Sequence, residues 1–456
     1  MRIHARNAVV GLDTSAEVNV PRAGNSKQQT GNRKSAAALF ATSCFLFDDE
    51  QMASIQTVSQ AETTVVKPVR VLSVDVLRGI TIALMILVND PGDWGHVFAQ
   101  LDHATWNGWT LTDTVFPTFL FLMGASIMFS LEARASRGNC KKTLAGHIFI
   151  RAVKIFVLYW LMVFFPKMHW SVRLFGVLPR IALCYLLVGL LLLFTRRVRV
   201  LAAITAVLLV GYWVLLRWVP VPGLGMPGRD IPFMDQNANL ASWIDRGFSA
   251  WTLRWLHTGT LYRGTRDPEG LLSTLPSVAT TLLGSLTGMW MLRSQRVAGG
   301  MRRMRLGLVV AGVVGVATGE LWSLWFPINK NLWTSSYVLL MAGLAAFLLA
   351  LCSWWIDGRA QPWPRWLQVS SWPWLVFGSN AILAYTVSVV LVKAGAFIKI
   401  ADSKGDRHSL LALTYKDVFA RHGSTDWTSL AFAVCFVLVC FLPNWLLWRK
   451  KIFLKL

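Results

Sequence analysis

Ten stretches of about 20 mostly apolar residues follow one another from residue 71 onward, and they limit what this chain can fold into. A helix needs about 20 such residues to cross the hydrocarbon core of a bilayer. Only 15% of the 456 residues are charged and 54% are hydrophobic, whereas about a quarter are charged in soluble domains. The sequence predicts an all-α polytopic membrane protein with about ten transmembrane helices, near residues 71–88, 114–131, 148–165, 174–194, 199–219, 271–292, 306–326, 333–355, 372–392 and 429–448.

Arginine and lysine are concentrated in alternate connections between these runs. They follow the second, fourth, sixth and eighth runs and close the chain, whereas the loop 89–113 contains neither residue. Short loops rich in these residues stay on the cytoplasmic side. We therefore expect both termini in the cytoplasm and the loops 89–113, 220–270 and 393–428 outside. Because the cations lie in loops beside membrane helices, we attribute the formal net charge of +22 to contact with a lipid bilayer. We expect no nucleic acid as partner.

The first 67 residues differ from the rest of the chain. Residues 1–67 are polar, rich in Ser, Thr and Ala, and contain no membrane-spanning run. This composition is typical of a disordered segment, so we expect a cytoplasmic tail before a membrane domain at 68–456. Met52 leaves open that the biological start lies there and that residues 1–51 are an artefact of the assigned start site.

The loop 89–113 holds the densest polar chemistry in the chain. Its residue His103 is a candidate catalyst, because a neutral imidazole can accept a proton from an attacking amine or itself attack a carbonyl carbon. Asp102 and Asp113 are the carboxylates that could orient this ring and stabilise its charged form. From the chemistry alone, an ordinary surface histidine remains the alternative.

Polar residues within or beside the apolar runs are costly in lipid, and each is therefore a hypothesis about function. Asp75 and Arg78 are three residues apart in the first run, where they form either a self-neutralising pair or an anion site that offers Arg78 to a phosphate. The others, together with Glu320 in the seventh run, predict a polar cavity that opens outward, although a buried Arg–Glu pair between helices would leave the same pattern. These other candidates for binding substrate or coenzyme are Trp106, Asn107, Arg180, Glu269, Asn329, Lys330, Asn331, Asn380 and Tyr385. No cysteine or histidine spacing is typical of zinc, so no metal is expected.

Blocks of residues in a fixed order run from about residue 70 to the C-terminus. They are SVDVLRG at 73–79, LVN at 87–89, HATWNG at 103–108, TD at 112–113, VFP at 115–117, GVL at 176–178 with Arg180, DPEG at 267–270, PINKNLW at 327–333, SYV at 336–338 and RKKIF at 449–453. With these blocks the chain resembles the heparan-α-glucosaminide N-acetyltransferase family.

The resemblance implies a transmembrane acyltransferase. It implies transfer of an acetyl group from cytoplasmic acetyl-CoA to the amine of an amino sugar or glycan at the outer face. The family's active-site histidine falls on His103, and its neighbouring positions fall on Asn89 and Asp113. His103 would act as general base in a ternary complex or carry the acetyl group itself, with Asn89 as a candidate donor to the thioester oxyanion. A homodimer is a further possibility that the resemblance carries.

The resemblance also has a departure. The animal enzyme has a lumenal domain and an additional span before the shared region, and the N-terminal tail here is too short and too polar for either. We therefore expect a relative from a bacterial inner membrane. The sequence does not identify its acceptor. An amino-sugar transporter is the alternative function. A carrier, however, has no need of His103 beside Asn89 and Asp113. Transporters also often show internal repeats, and this sequence shows no convincing one. A structural membrane scaffold is a third possibility, which would not need polar groups at depth.

Overall fold

A computed structural model of the protein describes five parts of the chain, at residues 71–165, 168, 170–359, 363–401 and 407–453. The expected tail at 1–67 and the alternative start at Met52 lie outside the described residues.

Helices make up most of the described chain, because each apolar run can satisfy its backbone hydrogen bonds in lipid only as a helix. The helices are α1 (Leu72–Asn89), α2 (Leu111–Ala135), α3 (Lys141–Phe164), α4 (Val177–Phe194), α5 (Val198–Trp218), α6 (Leu240–Leu256), α7 (Thr274–Gln295), α8 (Gly300–Ser323), α9 (Ser335–Ile356), α10 (Arg365–Ser379), α11 (Ala381–Phe397), α12 (Leu410–Thr414) and α13 (Asp426–Arg449). A two-stranded antiparallel sheet of β1 (Lys399–Ala401) and β2 (Arg407–Ser409) and a π-helix at Tyr415–Phe419 complete the described elements.

Nine of the helices in the described residues are long and apolar enough to cross a membrane, namely α1 to α5, α7 to α9 and α13. The pair α10 and α11 passes the same test when taken together, and counting it as one crossing gives ten. The prediction of an all-α polytopic membrane protein is confirmed. The helix α6, which lies in the long loop 220–270, is an element that hydropathy did not predict.

The ninth predicted span is bent instead of straight. The axes of α10 and α11 differ by 78°, and the chain leaves the helical conformation at Asn380, where φ is −131° and ψ is 45°. The Asn380 side chain donates a hydrogen bond of 3.1 Å to the carbonyl of Ile452. A contact with the far end of the chain therefore holds the break, which is why the local apolar pattern gave no sign of it.

Glycines bring particular helix pairs into close backbone contact. A Cβ at Gly79 would collide with the backbone of Trp374, and one at Gly378 would collide with the carbonyl of Asp75, so α1 and α10 touch directly. Likewise, Gly124 on α2 and Gly284 on α7 each face the backbone of the other helix. Small residues at such interfaces are the usual means of helix association in membranes.

Ion pairs identify which helix ends lie together. Glu132, near the end of α2, binds Arg196 after α4 at 3.2 Å and Arg296 after α7 at 2.5 Å. We call this the arginine end of the bundle. The opposite end, here the His103 end, holds the end of α1, the start of α2 and the loop at 90–110 between them.

Candidate active site

A histidine and a buried carboxylate form the centre of the His103 end. Nδ1 of His103 lies 2.8 Å from Oδ1 of Asp113. The side chain of Asp113 is fully buried, whereas 44% of the His103 side chain is exposed. Because a carboxylate accepts hydrogen bonds, Nδ1 of the neutral ring carries the hydrogen and Nε2 is left with the lone pair. The arrangement presents a basic nitrogen on the accessible side of an oriented ring.

Local sequence around the start of α2 fixes the carboxylate. Thr110 caps α2, and together with Asp113 it forms a capping box. Oδ2 of Asp113 accepts hydrogen bonds from the backbone N–H of Ala104 at 3.1 Å and from the backbone N–H and hydroxyl of Thr110 at 3.1 and 3.2 Å. Such a box satisfies free donors at a helix start. One oxygen of Asp113 therefore accepts hydrogen bonds from the backbone and the cap of α2, and the other contacts His103.

Lys330 reaches the same centre from a distant part of the chain. Its Nζ lies 3.3 Å from Oδ1 of Asp113, and 2.9 and 3.1 Å from Nδ1 and Nε2 of His103. An atom at these distances from both nitrogens would collide with Cε1 if it lay in the ring plane, so the ammonium lies over the face of the ring. Burial lowers the pKa of Lys330. The three side chains form a compact group, which we call the His103 triad.

Hydrogen bonds join the loop that carries Lys330 to the loop that carries His103. The Asn329 amide donates to Oδ1 of Asn107 at 3.1 Å, and the backbone N–H of Gly108 donates to the carbonyl of Ile328 at 2.8 Å. Asn329 Oδ1 also accepts from the N–H of Leu332 at 2.9 Å, which closes the turn. Asn107 and Asn329, both predicted to bind substrate or coenzyme, therefore contact each other.

Buried aromatic side chains lie next to this turn. Trp333 adopts a left-handed backbone conformation with φ of +54°, and its indole N–H donates to Thr280 at 3.1 Å. The guanidinium of Arg180 lies 5.1 Å from the Trp333 ring, and the Tyr337 hydroxyl donates to the backbone carbonyl of Asp113 at 2.6 Å. Arg180 is only 1% exposed and also donates to the carbonyl of Gly270 at 3.1 Å. The Arg180 guanidinium therefore contacts both the Trp333 ring and the turn at Gly270.

The acidic turn before α7 is bound by an arginine that sequence reasoning left out. Arg173 donates to Asp267 at 2.6 Å through Nε and pairs with both Asp267 and Glu269 through Nη2. Glu269 is also within electrostatic range of Lys330. Arg173 could have been noticed as one of two cations, with Lys167, in the short connection between the third and fourth runs, but nothing in its local sequence indicated these partners.

The remaining predicted residues of the first loop are spread around the triad. Asp102 accepts from the backbone N–H of His103 at 2.7 Å, so it shapes the backbone of the loop. The Trp106 indole donates to the carbonyl of Met234 at 2.9 Å and its ring lies under Arg266. Asn89 is exposed at the last turn of α1, and no hydrogen bond joins its side chain to another described residue. Asn331 is half-buried in the turn beside Lys330.

A second carboxylate beside Asn89 was not among the predicted site residues. Burial raises the pKa of Asp90 to about 7. Asp90 and Glu269 are both within electrostatic range of Tyr385 on α11, which joins Tyr385 to the polar interior at the His103 end. Glu320, in contrast, is exposed on α8, so it is not part of the outward cavity that its position in the seventh run suggested.

A basic cleft enters the bundle on the side of the arginine end. Its outer part has a volume of about 470 Å³ and is lined by the cationic side chains of Arg134, Arg151 and Lys154, with His147. Its inner part, about 240 Å³, shares Arg151 and Tyr185 with the outer part. The deepest lining residue on α2 is Phe119, six residues and therefore about 9 Å of helix from Asp113.

The bend between α10 and α11 forms one wall of this inner part. Arg78, Ser379 and Asn380 all line it. Arg78 donates to Asp75 at 3.0 Å and to the hydroxyl of Ser126 at 2.5 Å. The expected Asp75–Arg78 pair is therefore present, and the same arginine also borders a cleft, so the two interpretations of the pair are compatible.

The chain matches a protein-family model described as "Heparan-alpha-glucosaminide N-acetyltransferase, catalytic" over residues 70–326, which is more than half of its length. The chain belongs to this family. Curated relatives include the human and mouse proteins named heparan-alpha-glucosaminide N-acetyltransferase, both 28% identical, over 430 and 392 residues. The alignments cover 85% and 77% of this chain, and 60% and 58% of the human and mouse proteins. The resemblance inferred from the ordered blocks is confirmed.

The match includes most of the site in this member of the N-acetyltransferase family. Residues 70–326 contain His103, Asp113, Arg78 and Arg180. Lys330 follows the end of the family match by four residues. The turn that completes the His103 triad therefore comes from the stretch just beyond the family match.

Proposed function

We propose that the protein is a transmembrane acyltransferase that moves an acetyl group from acetyl-CoA to the amine of an amino sugar or glycan. The basic cleft holds the donor on the cytoplasmic side, and the acceptor binds at the His103 end on the outer side. A bacterial inner membrane is the proposed location. The observation that carries the proposal is the 2.8 Å contact between half-exposed His103 and fully buried Asp113.

His103 acts as general base in this reaction. Its Nε2 takes the proton from the acceptor amine while the nitrogen attacks the thioester carbonyl, and Asp113 stabilises the imidazolium that forms. The tetrahedral intermediate then collapses with cleavage of the C–S bond, and the imidazolium returns the proton to the CoA thiolate that leaves. The alternative is that Nε2 itself accepts the acetyl group and passes it to the amine. We favour the general base slightly, because no acetyl-imidazole then has to survive beside water.

Lys330 stabilises the negative charge of the tetrahedral intermediate. Its ammonium stands beside Nε2 of His103, 3.1 Å away, so an atom attacked at this point is also within reach of the cation. A preorganised donor aimed at developing charge is often the largest single contribution to an acyl transfer. Asn89 remains a second candidate donor, and Glu269 is a candidate partner for the ammonium form of the acceptor.

The basic cleft suits a donor with several phosphate groups. Arg134, Arg151 and Lys154 lie in its outer part, and Arg78 lies in its inner part. Arginine binds phosphate through paired, charge-assisted hydrogen bonds. Acetyl-CoA bound with its phosphates toward the arginine end would have its thioester arm point past Phe119 toward the His103 triad.

One observation favours the alternative, an amino-sugar transporter. The bend at Asn380 divides a membrane-spanning segment into two half-helices beside a cleft, and discontinuous helices of this kind often form substrate sites in transporters. A transporter would use the same cleft as a pathway for the unmodified sugar.

Reconstitution into proteoliposomes distinguishes the two functions. Acetyl-CoA is supplied on the side of the arginine end and glucosamine on the other, and N-acetylglucosamine and free CoA are measured for the wild type and for His103→Ala. We expect both products from the wild type and a loss of about 10³-fold in the variant, since general-base catalysis contributes about 10² to 10⁴. Passage of unmodified glucosamine without consumption of acetyl-CoA would establish the transporter instead.

The matched control is His96→Ala in the same loop. His96 pairs with Asp93 at 2.9 Å, so it reproduces the His–Asp contact without belonging to the triad. If both histidine variants lose activity equally, the assignment of the chemistry to His103 is wrong.

A further inference from the structure

A groove separates α7 and α8 on the outer surface of the bundle. It has a volume of about 470 Å³, and its floor is formed by residues of α9 together with Phe121 of α2. The exposed face of α8 around it is apolar, with Val309, Val310, Val313 and Val314 all 40% or more exposed. A helix in a membrane protein with such a face lies against lipid, so the groove opens to the hydrocarbon.

The groove exists because α7 and α8 are each held by a different neighbour. Gly284 on α7 is in backbone contact with Phe121 of α2, whereas Gly315 on α8 is in backbone contact with Gly343 of α9. The two helices of one hairpin are therefore drawn apart along their length. At the arginine end they meet again, where Gly307 leaves room for the Trp290 ring.

The lining offers nothing to a polar ligand. Thr287 and Thr318 each donate to a carbonyl of their own helix, at 3.0 and 2.6 Å. The Trp290 indole N–H points to the carbonyl of Met304 at 3.4 Å. The remaining wall consists of apolar side chains and glycine. An occupant that gains from this surface must be a hydrocarbon chain, since each buried methylene contributes about 0.8 kcal/mol.

The groove is strongly basic where α7 and α8 meet at the arginine end. The guanidinium of Arg303 lies 5.3 Å from the ring of Trp290, which lines the groove. The turn that joins the two helices also carries Arg293 and Arg302, and the sequence from 285 to 310 contains no Asp or Glu. Arg296, in the same turn, is paired with Glu132 of α2. Basic pockets beside membrane helices bind anionic head groups.

We propose that this groove binds one anionic phospholipid, with an acyl chain between α7 and α8 and the phosphate beside Arg303. The site is separate from the basic cleft and from the His103 triad, and it does not depend on the proposed acetyl transfer.

Native mass spectrometry of the full chain in detergent tests the site. The protein is equilibrated with dioleoyl phosphatidylglycerol or, in a second arm, with dioleoyl phosphatidylcholine, and bound lipid is counted. We expect one retained phosphatidylglycerol on the wild type. Val310→Trp places an indole in the groove and lowers this binding about tenfold, as expected for loss of contact with about two methylenes.

Val313→Trp is the matched control. Val310 and Val313 are on the same helix and are 52% and 54% exposed, but only Val310 lines the groove. Val313→Trp should retain lipid as the wild type does. Ala311→Leu, a smaller change in the groove lining, should reduce retention in the same direction and covers the case in which Val310→Trp fails to fold. Arg303→Gln should lower the preference for phosphatidylglycerol over phosphatidylcholine about fivefold.

Three results would overturn the proposal. The first is equal retention by Val310→Trp, Ala311→Leu and the wild type. The second is equal binding of the two lipids, unchanged by Arg303→Gln. The third is a shift from dimer to monomer in Val310→Trp with the lipid count unchanged, which would identify a second copy of the chain as the occupant.

Discussion

The His103 end and the basic cleft use charge in opposite ways. At the His103 end, anions and cations are paired at short range: Asp113 contacts both His103 and Lys330, and Arg173 binds Asp267 and Glu269. In the basic cleft, the lining includes Arg134, Arg151 and Lys154 but no carboxylate.

Under the proposed function, this difference separates catalysis at the His103 end from binding of acetyl-CoA in the basic cleft. Paired and buried groups are held in one geometry, and a catalytic group needs such preorganisation. A wall that contains several cations and no carboxylate gives the cleft a positive potential, which attracts an anionic ligand. The comparison can be tested by changing one end and measuring whether the other end keeps its function.

Loss of the Asp113 charge should have the largest effect. Asp113→Asn removes the carboxylate that orients His103 while keeping the size of the side chain, and we expect acetyl transfer to fall about 10³-fold. Binding of CoA in the basic cleft should change less than about twofold, as measured by equilibrium binding of radiolabelled CoA.

Asp102→Asn provides the control, because the Asp102 side chain accepts only from the backbone N–H of His103 among the hydrogen bonds described. Its loss of activity should stay below about tenfold. Equal losses in Asp102→Asn and Asp113→Asn would contradict the assignment of the imidazole partner to Asp113.

Removal of the Lys330 cation should have the next largest effect. Lys330→Met keeps the length of the side chain but no longer stabilises an oxyanion, and loss of one such donor costs about 10² to 10³ in kcat. Lys330→Arg should recover part of the rate because the charge returns. Steady-state kinetics with varied acceptor measures both variants. A rise in the KM for the acceptor with kcat unchanged would instead make Lys330 a binding residue.

Changes in the basic cleft should affect affinity and leave the chemical step in place. Arg151→Gln removes a cation that lines both parts of the cleft. We expect the KM for acetyl-CoA to rise about tenfold with little change in kcat, since a hydrogen bond to a charged group contributes about 1.5–3 kcal/mol. Arg137→Gln, an exposed arginine outside the cleft lining, is the control. A fall in kcat alone for Arg151→Gln would contradict the assignment of this cleft as the binding site of the donor.

The smallest effect concerns stability and pH at the His103 end. The folded protein holds the proton of Asp90 up to about pH 7, whereas the unfolded chain loses it near pH 4. Stability therefore falls as the pH rises from about 4 to about 7. Asp90→Asn removes this loss and should stabilise the protein by on the order of 2 kcal/mol above pH 7, after allowance for partial exposure.

Asp93→Asn should act with the opposite sign. Hydrogen bonds, led by that from Ser424, lower the pKa of Asp93 to about 2. The ionised form therefore contributes stability at neutral pH that is lost as the pH falls below about 4. Thermal unfolding in detergent between pH 3 and 8 measures both variants. A shift of the same sign in both would contradict these assignments.

Much of the architecture could be predicted from the sequence, because hydropathy acts locally. Each apolar run needed only its own length and composition to be recognised, and the runs correspond to the helices found. His103 could be paired with either Asp102 or Asp113, since all three are in one loop, and the structure decides for Asp113. The bend at Asn380 could not, because its hydrogen bond to Ile452 joins positions 72 residues apart.

The site was only partly predictable for the same reason. Lys330 was a candidate from its position beside two asparagines, yet its contact with His103 spans 227 residues. Arg173 and Asp90 were left out, since the partners of Arg173 lie 94 and 96 residues away and the pKa of Asp90 depends on burial. Glu320 was wrongly grouped with the outward cavity, because an apolar run does not reveal which face of its helix meets lipid.

By itself, the sequence determined that this chain is a bundle of membrane helices, and it offered His103 in one loop as the candidate catalyst, with Asp102 or Asp113 as its partner. The reason is that apolar length and the residue types of a single loop are local properties of the chain. The tertiary structure alone decided that a lysine completes the triad, that a broken helix borders a basic cleft, and that α7 and α8 are drawn apart. Those features depend on close backbone packing at glycines and on contacts between distant residues, and neither leaves a periodic signal along the chain.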